Sequence, residues 1–296
     1  MPPDVPNSAP MITLEKITTA PDLTFDVLVD GAEDAPLVLL LHGFAESFSM
    51  WRSQMPKLAA TGYRPIAPSQ RGYSAGARPD TRDAANYGFD HLMADAMSIA
   101  AACSRANGRF HVVGHDWGGS IAWGIADRYP ERVASLTVLS RPHPNAFNRA
   151  LLLPDGDQLR RSRHHSAFLE RDAADKVLAD DCKWLRQRLA AAGVPGFAVE
   201  QHLAVLGNTD AMEAALAWYR ARGAIRTPLG PTRVPTLYIW GNADDTVGRA
   251  AAEGTVDFIA APYRFVELED VGHFAAEQAP ERVSELMLAH LRAHPA

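Results

Sequence analysis

The sequence predicts an α/β protein: a mostly parallel sheet, helices on both faces, and a helical segment inserted between two strands. Three observations carry that expectation. Short apolar runs rich in β-formers alternate with longer helical patterns from Leu37 to about Ser140, as strands buried on both faces do. Two more such runs come late in the chain, at 235–240 and 263–268. Between about Arg141 and Pro231 the spacing turns helical, and no convincing strand is found.

Taken in order, the chain starts MPPDVPNSAPMITLE, with no basic residue ahead of Glu15 and no apolar core behind it. A secretory signal is not expected there; a loose Pro-rich arm of roughly ten residues is. ITLEKITT and LTFDVLVD then read as an antiparallel edge pair joined near Pro21. The runs LVLLL (37–41), RPIAP (64–68), FHVVG (110–114) and ASLTVL (134–139) supply the first parallel strands. The inserted stretch is bracketed by the Pro-rich pieces RPHPNAF and TPLGPTRVP. This divides the chain into a core, 1–141 with 231–296, and a helical cap, 142–230. PTLYIW and YRFVEL complete the sheet.

Composition excludes several functions. The formal net charge is −6 over 296 residues, and the 29 Lys and Arg form no run or stripe, so nucleic acid is not an expected partner. The longest apolar run, Pro36 to Leu41, is far too short to cross a bilayer. A cytoplasmic protein is expected. Cys103 and Cys182 fall in separate helical segments and offer neither a disulfide framework nor a metal-ligand spacing. Buried, inert thiols are the better reading.

The strongest local signal is Val113-Gly114-His115-Asp116-Trp117-Gly118-Gly119. A β run ends at Gly114 and a helical pattern begins after Gly118, the setting of a nucleophile elbow. A strained turn there exposes one side chain at the sheet edge, and here that side chain is Asp116. Aspartate is also a common helix N-cap; the flanking glycines and the partners farther along favour the nucleophile. Ser120 lies inside the helix and reads as packing. Leu41-His42-Gly43-Phe44 follows an earlier strand. A loop so placed supplies one backbone N–H to an oxyanion hole, with the second from the residue after the nucleophile; these are Phe44 and Trp117. Trp240-Gly241-Asn242-Ala243-Asp244-Asp245 follows a strand as an acid-bearing loop should, and Val271-Gly272-His273-Phe274 follows the last one. Of eleven histidines, His273 alone stands at the sheet edge in the order nucleophile, acid, histidine.

Together these residues resemble the epoxide hydrolase branch of the α/β-hydrolase superfamily, from about Leu37 to Leu291. The motifs behind the resemblance are HGFAES (42–47), SQRGYSAGARP (69–79), GHDWGG (114–119), WGNADD (240–245) and VGH (271–273). The resemblance implies the α/β-hydrolase fold, Asp116 as nucleophile, Asp244 as acid and His273 as base. Asp245 competes for the acid role, although the three-residue step after Gly241 favours Asp244. Family members usually aim two cap tyrosines at the epoxide oxygen. Ala217-Trp218-Tyr219-Arg220 carries the second, Tyr219. The first falls four residues before Phe168, where this chain has His164, with His165 beside it as the alternative. An imidazole N–H can donate as a phenol does. Ala45 is a second departure, since proline is frequent there.

The chemistry so implied has two steps: Asp116 opens the ring to an alkyl ester, then water activated by His273 cleaves it. No cofactor and no metal is expected, only a small apolar substrate and water. A homodimer is left open. Haloalkane dehalogenases use the same Asp ester, but they usually add a second halide-binding Trp or Asn, often where Phe44 stands. Fluoroacetate dehalogenases carry arginines where this chain has Trp117 and Ser120. A non-catalytic ligand-binding relative would typically have lost part of the triad, and every position is filled here.

Overall fold

A computed structural model describes residues 11–104, 108–221 and 229–296; the predicted N-terminal arm lies outside them. Eight strands form one sheet in the order β1-β2-β4-β3-β5-β6-β7-β8. They are β1 (Thr13–Ala20), β2 (Leu23–Val29), β3 (Leu37–Leu41), β4 (Arg64–Pro68), β5 (Phe110–His115), β6 (Val133–Leu139), β7 (Thr236–Gly241) and β8 (Tyr263–Leu268). β1 pairs antiparallel with β2, and β2 with β4; every other pairing is parallel. All six apolar runs and the edge pair are therefore strands, within a residue or two of the sequence reading.

The burial of each strand explains its place. β3, β5, β6 and β7 are buried at every residue, as central parallel strands must be. β1 carries exposed Thr13, Leu14, Lys16 and half-buried neighbours, which suits an edge. Alternate residues serve opposite faces. Leu39, Leu41 and Val112 join one apolar cluster with the helices Phe89–Cys103 and Trp117–Arg128. Val38, Leu40 and Val113 join the other with Met55–Ala60 and Pro280–Ala293. Helices thus cover both faces.

Between β6 and β7 the described residues form helices and no strand: Pro144–Leu151, Gln158–Arg161, His164–Ala167, Ala173–Ala191, Gly196–Leu206 and Thr209–Ala221. Thr209–Ala221 is the anchor of this cap. Ala214 to Tyr219 are buried along it, and the Trp218 indole donates to the Arg71 carbonyl at 3.0 Å. Ala173–Ala191 is broken by a kink, with Asp180, Asp181 and Cys182 in left-handed conformation. Such conformations cost about 1 kcal/mol or more each in a non-glycine residue. Beyond the kink, Trp184 and Arg188 lie about one turn apart and line the same cleft. Cys103 and Cys182 are both buried and unpaired, and burial lifts the Cys103 thiol to about 11. Among described residues, no helix is long and apolar enough to cross a membrane.

Candidate active site

Asp116 sits where β5 ends, with φ +49° and ψ −114°, a conformation disfavoured for any L-residue. The helix after it begins at Trp117, two residues earlier than the sequence spacing indicated. The glycines at 118 and 119 are inside its first turn because the strands press against it. A Cβ on Gly118 would lie 2.2 Å from the Leu41 carbonyl oxygen. Asp116 occupies the N-cap position, yet its side chain caps nothing. Its Oδ1 instead accepts the Phe44 N–H across the cleft at 3.1 Å. Gly43 permits that approach, since a Cβ there would meet Asp116 Cβ at 2.5 Å.

His273 Nδ1 lies 3.0 and 3.1 Å from the two carboxylate oxygens of Asp244. A carboxylate only accepts, so Nδ1 carries the proton and Nε2 keeps its lone pair. Nε2 points at Asp116 Oδ2 from 3.8 Å, beyond a direct hydrogen bond. Asp244 is buried and held from behind by the Thr246 and Val247 N–H groups, both on Oδ1 at 2.7 and 2.9 Å. Asp245 points elsewhere: it forms a bidentate pair with Arg188 at 2.8 and 3.0 Å. The two adjacent aspartates are thus separated by geometry, and only Asp244 meets the histidine.

Burial works against ionisation of Asp116, but His273, His115, Arg141 and the Phe44 N–H outweigh it and hold the carboxyl well below its usual range.

A cleft of about 530 Å³, counting space open to solvent, lies over this edge. Phe44, Ala45, Phe168, Trp184, Tyr219 and Phe274 give it an apolar wall, and Asp116 and His273 form its floor. Arg161, Arg188, Asp245 and Thr246 make one side of the cleft polar. Tyr219 packs edge-on against Trp117, Phe168 and Phe44 at 5.1, 4.9 and 5.5 Å between ring centres. His164 lines the cleft, while His165, not among the lining residues, packs against Tyr219 with ring centres 5.6 Å apart. Burial depresses the His164 imidazole to about 4. Its Nδ1 lies 3.1 Å from the Arg161 carbonyl, so the neutral ring spends its proton there and presents Nε2 as an acceptor.

Sequence reasoning left unassigned a charged pair beneath the floor. His115 and Glu46 are both fully buried, with Nδ1 2.8 Å from Oε2, although off the axis of a well-aligned hydrogen bond. Burial opposes charge on His115, but Glu46 outweighs it and lifts the imidazole to about 9. Its Nε2 donates to the His273 carbonyl at 2.9 Å, and the Ser140 hydroxyl donates to the same oxygen at 2.8 Å. Glu46 and His115 were in view as part of HGFAES and GHDWGG, yet nothing in their spacing shows that they meet.

The family model for the alpha/beta hydrolase fold matches residues 36–280. The chain belongs to the α/β-hydrolase fold family. Within this family the similarities run to the epoxide hydrolase-like branch. A solved structure described as one of the novel epoxide hydrolases from metagenomes of hot environments superposes with a TM-score of 0.81 at 30% identity, covering 95% of this chain and 99% of that one. Epoxide hydrolase A of Mycobacterium tuberculosis is 29% identical over 94% of this chain and 97% of its own length. The AB hydrolase superfamily protein YfhM of Bacillus subtilis is 29% identical over 91% and 95%.

Proposed function

We propose that this α/β-hydrolase opens epoxides to vicinal diols through a covalent ester on Asp116. The observation that carries the reading is the placement of the two Asp116 oxygens. Oδ1 rests on the Phe44 N–H, while Oδ2 faces the cleft beside His273 Nε2. Oδ2 attacks a ring carbon, the C–O bond breaks, and its electron pair stays on the departing oxygen. Tyr219 donates its hydroxyl proton to that oxygen. His164 assists only once its Nδ1 leaves the Arg161 carbonyl or the ring takes a second proton. Water then attacks Cγ of the ester as His273 Nε2 removes its proton, with Asp244 steadying the imidazolium. The Phe44 and Trp117 N–H groups hold the oxyanion that develops on Oδ1. Collapse breaks the Cγ–Oδ2 bond, the new hydroxyl's proton passes to the departing alcohol so that the diol leaves and the carboxylate returns, and the imidazolium proton goes back to the Tyr219 phenolate.

The roles belong to one architecture: residues 1–141 and 231–296 as catalytic core, 142–230 as the cap that brings Tyr219 and His164 over the floor. Cytoplasmic placement, and a homodimer as the assembly to test, remain part of the proposal. A panel of styrene oxide, aliphatic epoxides, haloalkanes and aryl esters tests the function. Only the first two classes are expected to turn over; halide release faster than epoxide opening would contradict it.

A further inference from the structure

Among the described residues, the cap carries a fully buried histidine, His202, that the two-step chemistry does not use and that spans to the core. His202 lies on the helix Gly196–Leu206, and it is 0% exposed. It is fastened to the core on both ring nitrogens. The Ser47 N–H donates to Nδ1 at 3.0 Å, and the hydroxyls of Ser47 and Ser49 lie 3.1 and 3.2 Å from the same atom. On the other side, Nε2 sits 3.2 Å from each carboxyl oxygen of Glu277. An N–H can only donate, so Nδ1 is an acceptor and the ring proton resides on Nε2, aimed at Glu277.

Glu46, His202 and Glu277 bring ligand atoms within 4.8 Å of one another, which invites a cation. The tautomer argues against one. A cation on Nε2 would move the proton to Nδ1 and set it against the Ser47 N–H, whereas a ligating histidine needs an acceptor there.

What the cluster does form is a line of contacts. From His202 it passes to Glu277, then to Glu46 within the same cluster, and on to His115 at 2.8 Å. It ends on the His273 carbonyl, 2.9 Å from His115 Nε2. Glu277 also lies in the short helix Ala275–Gln278 directly behind Phe274, so a pull on it acts on the His273 segment. Burial raises the Glu277 carboxyl despite His202, and Glu46 adds to that.

We propose that His202 and Glu277 are a positioning pair: they transmit the seating of the cap to the main-chain carbonyl of His273 and so set the base for ester hydrolysis. The pair touches neither substrate nor reacting atoms. It rests on the two-step reading above, and its effect is confined to the second step, because Asp116 and Tyr219 make the first without His273.

Rapid-quench kinetics with styrene oxide, following the Asp116 ester by intact mass, separates the two steps. His202→Asn keeps an acceptor for the Ser47 N–H and loses the donor to Glu277; His202→Gln keeps a donor at the Nε2 position. With Asn, ester hydrolysis is expected to slow roughly ten-fold, the scale of one lost hydrogen bond to a buried charged group, while ring opening stays within about two-fold of wild type. With Gln, hydrolysis is expected to recover. Should the His202 variants fail to fold, Glu277→Met and Glu277→Gln break and keep the next link, with the same expected split. Equal hydrolysis rates in the broken and kept variants, or equal slowing of both steps, would overturn the positioning role. Absence of any ester, in wild type as well, would instead bring down the two-step reading beneath it.

Discussion

The floor and the roof of the cleft are built by different means. Asp116, Asp244 and His273 stand on loops that leave β5, β7 and β8, and each is held by main-chain or buried partners: Phe44 N–H, Thr246 and Val247 N–H, the Asp244 carboxylate. The roof residues Tyr219 and His164 sit on cap helices, where Tyr219 packs against the rings of Trp117 and Phe168 and His164 packs on Phe168 and bonds the Arg161 carbonyl. A sheet edge fixes geometry through strand register, so its chemistry follows a motif. A helical cap fixes geometry through packing, so its residue types can drift while the cleft persists. One departure from the family pattern falls accordingly, His164 on the cap where a tyrosine is usual; the other, Ala45, stands on the core loop after β3.

Substitutions on the floor should therefore be far more damaging than those on the roof. Asp116→Ala is expected to cut turnover by roughly 10⁴-fold or more, with a melting temperature close to wild type by scanning calorimetry. Retained turnover in that variant would remove the covalent step. Asp244→Asn is expected to lose roughly 10³- to 10⁴-fold through the wrong histidine tautomer, while Asp245→Asn, which breaks only the pair with Arg188, keeps most activity. Steady-state assays of the two side by side decide which aspartate is the acid. On the roof, Tyr219→Phe is expected to slow ring opening about a hundred-fold, and His164→Phe only about ten-fold, because its proton is already bonded to Arg161. A His164 loss as large as that of Tyr219 would show that the imidazole turns and donates.

The buried pair beneath the floor predicts a smaller, pH-dependent effect on stability. His115 is lifted from 6.5 to about 9 in the folded protein. A raised pKa contributes stability that is complete below the unfolded value and is lost as pH climbs through the folded one. The melting temperature should fall by several degrees between about pH 6.5 and pH 9. The neutral double variant Glu46→Gln with His115→Gln should flatten that slope; an unchanged slope would place its source elsewhere.

Much of this was legible in the sequence, for identifiable reasons. The strands were, since burial on both faces writes continuous apolar runs such as LVLLL and TLYIW. So were Asp116 and His273, whose glycine neighbours mark close strand–helix contact. The three-residue step after Gly241 favoured Asp244 over Asp245, and it is Asp244 whose carboxylate faces His273. The kink at Asp180 to Cys182 was invisible, as three left-handed non-glycine residues leave no compositional mark. The meetings of Glu46 with His115 and of His202 with Glu277 join segments 69 and 75 residues apart, and the place of the His164 proton depends on a contact with the Arg161 carbonyl that spacing does not encode.

The central claim is the ester on Asp116 and its release by His273. His273→Gln mixed with styrene oxide, followed by intact-protein mass and peptide mapping, tests it most directly. The account predicts a stable adduct of one substrate mass on the peptide holding Asp116, formed at near wild-type rate and not released. A variant that still turns over epoxide with no adduct, or an adduct on any other residue, would contradict it.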